Sequence, residues 1–291
     1  MESFRSKRMK HFIIITNKPK DPALELTRRT AGYLEQHGAS CTVCADEMPQ
    51  EAWEELLSKE AGHTDAILVL GGDGTLLRAA RDTVGSRIPI LGVNIGTLGY
   101  LTEVEPANLE DALQKLLDGN FCVEERMMLS GAVFREGTLR EENCALNDIT
   151  ITRCGHLRML YFQIYVNGKL LKEYHADGII IATPTGSTGY NMSAGGPIVE
   201  PGAQLIVLTP VCPHTLQTRS VILRADDEIS IRIIGKAGME ETGIEACFDG
   251  SRNIGLGAKD EVHVTKSIQT TSIVKLSEAC FLDVLHRKLN E

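Results

Sequence analysis

Residues Ala66–Ala80 read A-I-L-V-L-G-G-D-G-T-L-L-R-A-A, an apolar run, a cluster of glycines and a helix-compatible segment in direct succession. The run Ala66–Leu70 has strand length, and no polar residue alternates with the apolar ones, so the strand is covered on both faces. A glycine-rich turn follows, and an amphipathic helix is predicted over Leu76–Val84. Working outward, the same rhythm repeats on both sides. Phe12–Thr16 is apolar, Pro22–His37 is amphipathic and stopped by Gly38, Cys41–Ala45 is strand-like, Glu51–Lys59 is helical, and Ile88–Val93 is again an apolar run. Strands alternating with helices predict an α/β domain on a parallel sheet. Its last helix is expected over Asn108–Leu117, closed by Asp118-Gly119-Asn120.

From Cys122 the period changes to two. Leu129–Phe134, Asp148–Thr152, Leu160–Val166, Ile229–Ile234 and Val262–Thr265 alternate as half-buried strands do. Asn167-Gly168, between two such runs, is a two-residue hairpin turn in which both residues reach positive φ. The second domain is therefore mostly β. Leu276–Leu289 returns to helical spacing and is expected to pack back on the first domain. The expected layout is a disordered extension over 1–8, an α/β domain over 9–122, a β-rich domain over 123–266 and a returning segment over 267–291.

At 291 residues the chain has room for about two domains of ordinary size. Hydrophobic residues at 43% and charged residues at 24% are globular values, not those of a disordered chain. Thirty basic against 39 acidic residues leave a net charge of −9, without a long Lys/Arg run, which argues against nucleic acid and anionic membranes as partners. Apolar runs such as Ile13–Ile15 and Ile179–Ala182 are far too short to cross a bilayer, so a cytoplasmic location is expected. The cysteines are scattered. Cys41 and Cys44 form a C-x-x-C pair inside a predicted strand, where alternation accounts for them better than a metal or redox site.

No G-x-G-x-x-G or G-x-x-x-x-G-K-[ST] occurs, and H-E-x-x-H is missing too, which disfavours a dehydrogenase or a P-loop enzyme. In their place Gly71-Gly72-Asp73-Gly74-Thr75 ends a strand and opens a helix, at the sheet edge where α/β proteins bind ligands. Glycines let backbone approach an anion, and a helix start offers it free N–H groups. An aspartate there needs a role of its own, as a base, a metal contact or a hydroxyl acceptor; the same residues are also ordinary turn chemistry. Gly92–Tyr100 (G-V-N-I-G-T-L-G-Y) leaves the neighbouring strand and either completes a cleft or serves as a plain tight connection. Ala176–Pro197 (A-D-G-I-I-I-A-T-P-T-G-S-T-G-Y-N-M-S-A-G-G-P) couples an apolar strand to a loop rich in hydroxyls, suited to sugar or phosphate oxygens, with Tyr190 able to stack on a base. Asn147-Asp148 heads a strand and could grip vicinal ribose hydroxyls, or be a turn.

Together these motifs resemble the NAD kinase family. Gly71–Thr75 is shared with lipid kinases and phosphofructokinases, whereas Asn94–Leu101, Asn147-Asp148 and Asp177–Pro197 are more specific. The resemblance implies a Rossmann-like N-terminal domain, a C-terminal β-sandwich with the active site between the two, and a homo-oligomer, commonly a tetramer. It implies Asp73 as the catalytic carboxylate facing the adenosine ribose 2′-hydroxyl of NAD, with Gly72, Gly74 and Thr75 shaping the phosphate-donor site. Asp73, Gly74, Asn147, Asp148, His175, Asp177, Thr185, Ser187, Thr188 and Tyr190 are then the NAD-binding set. ATP is the implied co-substrate, with inorganic polyphosphate as a further donor. The implied divalent cation is Mg²⁺, held through donor phosphates rather than by dedicated protein ligands. Two positions depart from the family pattern: His175 stands where bacterial relatives often have arginine, and Gly189 where they often have alanine. Asp249-Gly250 resembles a late acidic motif of the family but reads as a plain turn. A lipid kinase sharing the glycine loop and a non-catalytic NAD(P) sensor are the competing readings; the acidic balance weighs against the first and the presence of Asp73 against the second.

Overall fold

The structure, a computed structural model, describes residues 8–60, 62–96, 99–154, 160–214, 219–234, 243–257, 259–276 and 281–290. Of the predicted extension, residues 1–7 lie outside this set, and Arg8 is exposed. The chain divides into two compact units, Met1–Arg126 with Thr270–Glu291, and Met127–Gln269.

The first unit runs β1 (His11–Thr16), α1 (Glu25–Gln36), β2 (Ser40–Ala45), α2 (Gln50–Glu60), β3 (Ala66–Gly71), α3 (Asp73–Asp82), β4 (Ile90–Asn94) and α4 (Leu109–Asp118). The strands are parallel in the order β2-β1-β3-β4, with Phe12 beside Ala66 and Ile67 beside Ile90. All six residues of β3 are buried, as its unbroken apolar run requires of a central strand. Phe12, Ile14, Leu68, Leu70, Leu91 and Val93 pack with Leu109, Leu113 and Leu116 of α4.

Two helix starts differ from the sequence reading, each for a local reason. α1 begins at Glu25 rather than Pro22 because the Asp21 carboxylate accepts the N–H groups of Glu25 (2.8 Å) and Thr27 (2.9 Å) and the Thr27 hydroxyl (2.7 Å), capping the helix there. α3 begins at Asp73, three residues before the predicted Leu76, which puts the aspartate in its first turn. Gly119, at φ 77°, ends α4 as the Asp-Gly-Asn signal predicted. Cys41 and Cys44 lie on β2, where burial pushes the Cys44 thiol up to about 11.

The chain continues through β5 (Cys122–Arg135), β6 (Thr138–Ala145), β7 (Asp148–Arg153), β8 (Leu160–Val166), β9 (Lys169–Ala176), β10 (Gly178–Ala182), the single turn α5 (Tyr190–Ser193), β11 (Leu205–Val211), β12 (Val221–Arg224), β13 (Ile229–Ile233), β14 (Ile244–Phe248), β15 (Arg252–Leu256), β16 (Glu261–Lys275) and α6 (Phe281–Leu289). In the second unit one sheet runs β12-β11-β10-β7-β14-β15, antiparallel throughout. In the other, β13 lies between β8 and β16, with β9 outside β8 and the β5-β6 hairpin joined to β16. Ile149, Ile151, Ile179, Ile181 and Phe248 from one sheet pack with Leu129, Phe162, Ile164, Val262 and Val264 from the other, making a β-sandwich core. Asn167 and Gly168 take φ 50° and 75°, the two-residue turn expected between β8 and β9.

β6 was not legible, because T-L-R-E-E-N-C-A pairs only with β5 and buries little of its surface. β16 is far longer than Val262–Thr265 and crosses the expected boundary at residue 266 without a break. Its end joins the parallel sheet with Ile273 beside Ile90, and Leu276 donates its N–H to Glu103 (3.0 Å) and accepts from Lys115 Nζ (3.3 Å). The return to the first unit is thus made by strand and backbone contacts; α6, which follows, has no fully buried side chain, and Phe281, Val284, Leu285 and Lys288 are half-buried along one face. Among the described residues no helix is long and apolar enough to cross a membrane.

Candidate nucleotide and phosphate sites

In the first unit β3 delivers Gly71 and Gly72 to the C-terminal edge of the sheet, and α3 starts at once. A Cβ on Gly71 would sit 2.5 Å from Thr75 Oγ1, so the turn closes this tightly only around glycine. Thr75 is buried, and its hydroxyl accepts from Asn17 Nδ2 (2.9 Å), which also donates to Asp46 Oδ2 (2.9 Å). Asp46 in turn pairs with Arg78. Thr75 therefore braces the loop from within. The second glycine exit is stitched to the first: the Ile95 N–H donates to the Gly71 carbonyl (2.6 Å) and Asn94 Nδ2 to the Gly96 carbonyl (2.8 Å). Thr97 and Leu98 of that segment lie outside the described residues.

Asp73 is held by this second exit. Its Oδ1 accepts from the N–H groups of Leu101 (3.2 Å) and Thr102 (3.1 Å) and from the Thr102 hydroxyl (3.3 Å), while its Oδ2 accepts from the Tyr100 N–H (2.7 Å). Gly99 closes the cradle, since a Cβ there would lie 1.9 Å from Asp73 Oδ1. The carboxylate is locked in one orientation, yet Oδ2, with one donor, keeps a lone pair for an incoming hydroxyl. Gly74 is exposed, and among the described residues a Cβ on it would meet no atom outside its own helix within 4 Å.

In the second unit Asn147 and Asp148 stand at the head of β7, fixed by a residue that read as a plain turn. The Asp249 carboxylate accepts the N–H groups of Leu146 (2.8 Å), Asn147 (2.7 Å) and Asp148 (3.1 Å). Asp249 and Gly250 do form the turn between β14 and β15, at φ 49° and 67°; that conformation aims the side chain back at β7. Thr183 bonds the same segment, with its N–H on the Asn147 carbonyl (2.8 Å) and its hydroxyl on the Leu146 carbonyl (2.6 Å). The loop after β10 then lies against Asn147 so closely that a Gly186 Cβ would fall 2.0 Å from the Asn147 carbonyl oxygen.

This packing leaves polar atoms buried without protein partners. Asn147 Oδ1 and Thr185 Oγ1 are among them. Asp148 is 6% exposed and, among the described residues, receives no hydrogen bond on its carboxylate. Buried acceptors left unpaired in a folded protein await a ligand or water that donates to them. Burial, and then the neighbouring Asp249 charge, push the Asp148 carboxyl up to about 7. Tyr190, half exposed, has its hydroxyl raised by burial and by the charges of Cys212, Asp148 and Asp177, which groups it with the two carboxylates. Asp177 is paired with Arg153 (3.0 Å).

Three further residues of the expected NAD-binding set make contacts within the protein. The Ser187 hydroxyl is buried and bonded to the carbonyls of Pro184 (2.6 Å) and Val199 (3.2 Å) and to the Val199 N–H (2.9 Å), so it staples the loop. The Thr188 hydroxyl donates to the Thr185 carbonyl (3.3 Å). His175 is exposed, with its ring edge-on to Tyr161 at 4.5 Å. Asn17, Asp46 and Asp249 were not singled out as site residues from the sequence; only the position of Asn17, directly after a strand at the sheet's carboxyl edge, carries a signal.

The raised carboxyl makes stability depend on pH. Asp148 binds its proton more tightly folded than unfolded, so its contribution is fully present below the ordinary value near 3.8 and is lost as pH rises through about 7. Melting temperature should therefore fall between pH 5 and pH 8 more steeply in the natural chain than in Asp148→Asn. Parallel slopes for the two proteins would show that Asp148 is not the titrating group.

A glycine-lined carboxylate at the strand ends of an α/β unit, and recessed hydroxyl acceptors in a β-sandwich, are the parts of a nucleotide-dependent phosphotransferase. The family model of the ATP-NAD kinase N-terminal domain matches residues 12–121, and that of the ATP-NAD kinase C-terminal domain matches residues 146–276. An NAD kinase of Agathobacter rectalis is 43% identical over 97% of this chain and 99% of its own length, and one of Lachnospira eligens is 41% identical over 97% and 100%. In fold the chain is similar to yeast NADH kinase complexed with NADH (TM-score 0.82, 24% identity, 98% of this chain and 88% of that one). It is also similar to an NAD kinase from Archaeoglobus fulgidus in complex with ATP (TM-score 0.76, 24% identity, 96% and 98%). The chain belongs to the NAD kinase family, and the lipid-kinase and sensor readings are set aside.

Proposed function

We propose that the protein transfers the terminal phosphoryl group of ATP to the 2′-hydroxyl of the adenosine ribose of NAD, giving NADP and ADP, and that Asp73 is its catalytic carboxylate. The observation that carries this is the Asp73 cradle, with four donors fixing the carboxylate and one lone pair left on Oδ2. Phosphoryl transfer proceeds through a loose transition state with little covalent work for the protein, so positioning and charge neutralisation do most of it. Asp73 orients the acceptor hydroxyl and takes its proton as the new P–O bond forms. Gly72 and Gly74 leave the donor phosphates room at the helix start, where free N–H groups favour anions. In the second unit Asn147, Asp148 and Thr185 offer the buried acceptors that ribose hydroxyls satisfy, and Tyr190 has the exposed ring face a base would stack on.

Among the described residues no three His, Cys, Asp or Glu side chains converge as a metal cage would need. The glycine loop presents backbone amides and one carboxylate, a donor set that fits Mg²⁺ arriving chelated to the donor's phosphates. When bound, the cation offsets the negative charge gathered beside Asp73.

Gly74→Ala separates folding from this function. Among the described residues alanine at Gly74 meets no atom outside α3, and in a helix it is favoured over glycine by up to about 0.5–1 kcal/mol, so melting temperature should hold or rise while KM for ATP increases. A variant with unchanged KM for ATP would remove Gly74 from the donor site. The reaction itself is tested by ³¹P NMR of the product from NAD and ATP. One new phosphomonoester on the ribose 2′-oxygen, formed in equal amount with ADP, is the expected result; a 3′-phosphate, a diphosphate linkage or no transfer would refute it.

A further inference from the structure

Lys20 occupies a place that the glycine loop has no reason of its own to leave open. A Cβ on Gly72 would lie 2.8 Å from Lys20 Nζ, and one on Gly96 3.8 Å from the same atom. Gly72 has φ −128° and ψ −172°, extended backbone that any residue adopts, so glycine is not required there by conformation. What its missing side chain provides is room for an ammonium group beside the loop. Gly96, at φ 116°, does need glycine, and so marks the other wall of the same niche.

The approach of Lys20 is built in. The turn after β1 is tied to β3 by the Asn17 N–H on the Leu70 carbonyl (3.0 Å) and to the glycine loop by Asn17 Nδ2 on Thr75 Oγ1 (2.9 Å). The Lys20 N–H in turn donates to the Asn17 carbonyl (3.0 Å) and to Asn17 Oδ1 (3.1 Å). Asn17 therefore links the backbone that carries Lys20 to the loop its ammonium overlies. Among the described residues no carboxylate pairs with that ammonium, in a chain with nine more acidic than basic residues. A cation held against two glycine exits at a helix start, and left unneutralised by the protein, is matched to an anion with several oxygens.

We infer that Lys20 binds the terminal phosphates of the phosphoryl donor, an assignment that rests on the phosphoryl-transfer reading above. In the transfer the bond between the terminal phosphorus and its bridging oxygen breaks and the bond to the acceptor oxygen forms. The electron pair stays on the departing oxygen, where the Lys20 ammonium stabilises it, and the acceptor's proton goes to Asp73. The same chemistry serves the phosphoanhydride of ATP and that of inorganic polyphosphate.

The test compares the full chain with Lys20→Met, Lys20→Arg and Gly72→Ala, measuring KM for ATP, polyphosphate and NAD alongside melting temperature with and without ATP. Loss of one charge-assisted contact corresponds to about a ten- to hundredfold change in affinity. Lys20→Met should raise KM for ATP by at least about tenfold, leave KM for NAD within about twofold and leave the unliganded melting temperature unchanged, while Lys20→Arg recovers most of the loss. Gly72→Ala, which displaces the ammonium and also crowds the donor phosphates, should follow Lys20→Met in direction, and only the Lys20 variants separate the two effects. A parallel rise in KM for any polyphosphate turnover extends the assignment to both donors; a rise for ATP alone confines it to the nucleotide. Unchanged KM for ATP, or equal rises for ATP and NAD, overturns it. The ATP-induced thermal shift needs no turnover. Its loss in Lys20→Met would therefore support the assignment even if no NADP formed, in which case the proposed reaction would be what had failed.

Discussion

Asp73→Asn should lower kcat by about 10²–10⁴-fold, the usual worth of a positioned proton acceptor, while NAD affinity changes little. The substitution keeps the shape of the side chain and removes its charge and its ability to take a proton. It also has a cost in the cradle. Oδ1 and Oδ2 both accept backbone N–H groups, and an amide has only one oxygen, so either Tyr100 or the Leu101–Thr102 pair is left facing an NH₂ group. That mismatch costs about 1–3 kcal/mol, seen as a lower melting temperature. Measuring NAD binding by titration and kcat on the same folded sample separates the two effects. Turnover near that of the natural chain would end the assignment of Asp73 as the catalytic residue.

Gly186→Ala should remove NAD binding while ATP still binds. The added Cβ would fall 2.0 Å from the Asn147 carbonyl oxygen and 2.4 Å from its carbonyl carbon, and neither can yield because Asn147 is tied to Thr183 and Asp249. Relief must come from moving the loop, which carries Thr185 and Tyr190 away from Asn147 and Asp148. Overpacking of this kind costs about 1–3 kcal/mol, well short of the whole stability of the domain, so the variant should remain folded. The expected signature is a Kd for NAD raised by at least about a hundredfold, as several hydroxyl contacts fail together. Gly189→Ala is the control: its Cβ would lie 3.3 Å from the Gly186 carbonyl oxygen, 3.4 Å from Asn147 Nδ2 and 3.7 Å from Asp148 Oδ2, contacts that neighbours absorb without moving the loop, and the effect should be much the smaller of the two. Equal behaviour of the two variants would contradict the view that the loop's contact on Asn147 shapes the site.

The α/β half was legible because its strands are central. Ile13–Ile15 and Ala66–Leu70 are buried on both faces, so their apolar runs stand out without any knowledge of partners. Sandwich strands such as β8 and β13 carried a period of two for the complementary reason, one face in the core and one outside. β6 carried no period, because its burial depends on a single neighbour. Within the candidate site, residues whose type and spacing suit a ligand, such as Asp73, Asn147 and Asp148, could be singled out in sequence. Residues that act by holding others could not. Asp249 lies 101 residues from Asp148, whose N–H it receives, and Asn17 lies 58 residues from the Thr75 it braces; pairings of that reach are decided by topology, not by local pattern. Ser187 shows the converse: its setting among hydroxyls reads as ligand contact, yet its hydroxyl is spent inside the loop.

Phosphoryl transfer to NAD is tested by NADP formation by the purified full chain from NAD, ATP and Mg²⁺, read with an NADP-specific dehydrogenase. Steady turnover that requires both NAD and a phosphoryl donor, and that falls by about 10²–10⁴-fold in Asp73→Asn, is the expected result. NAD binding without any NADP formed, whatever donor is supplied, would contradict it.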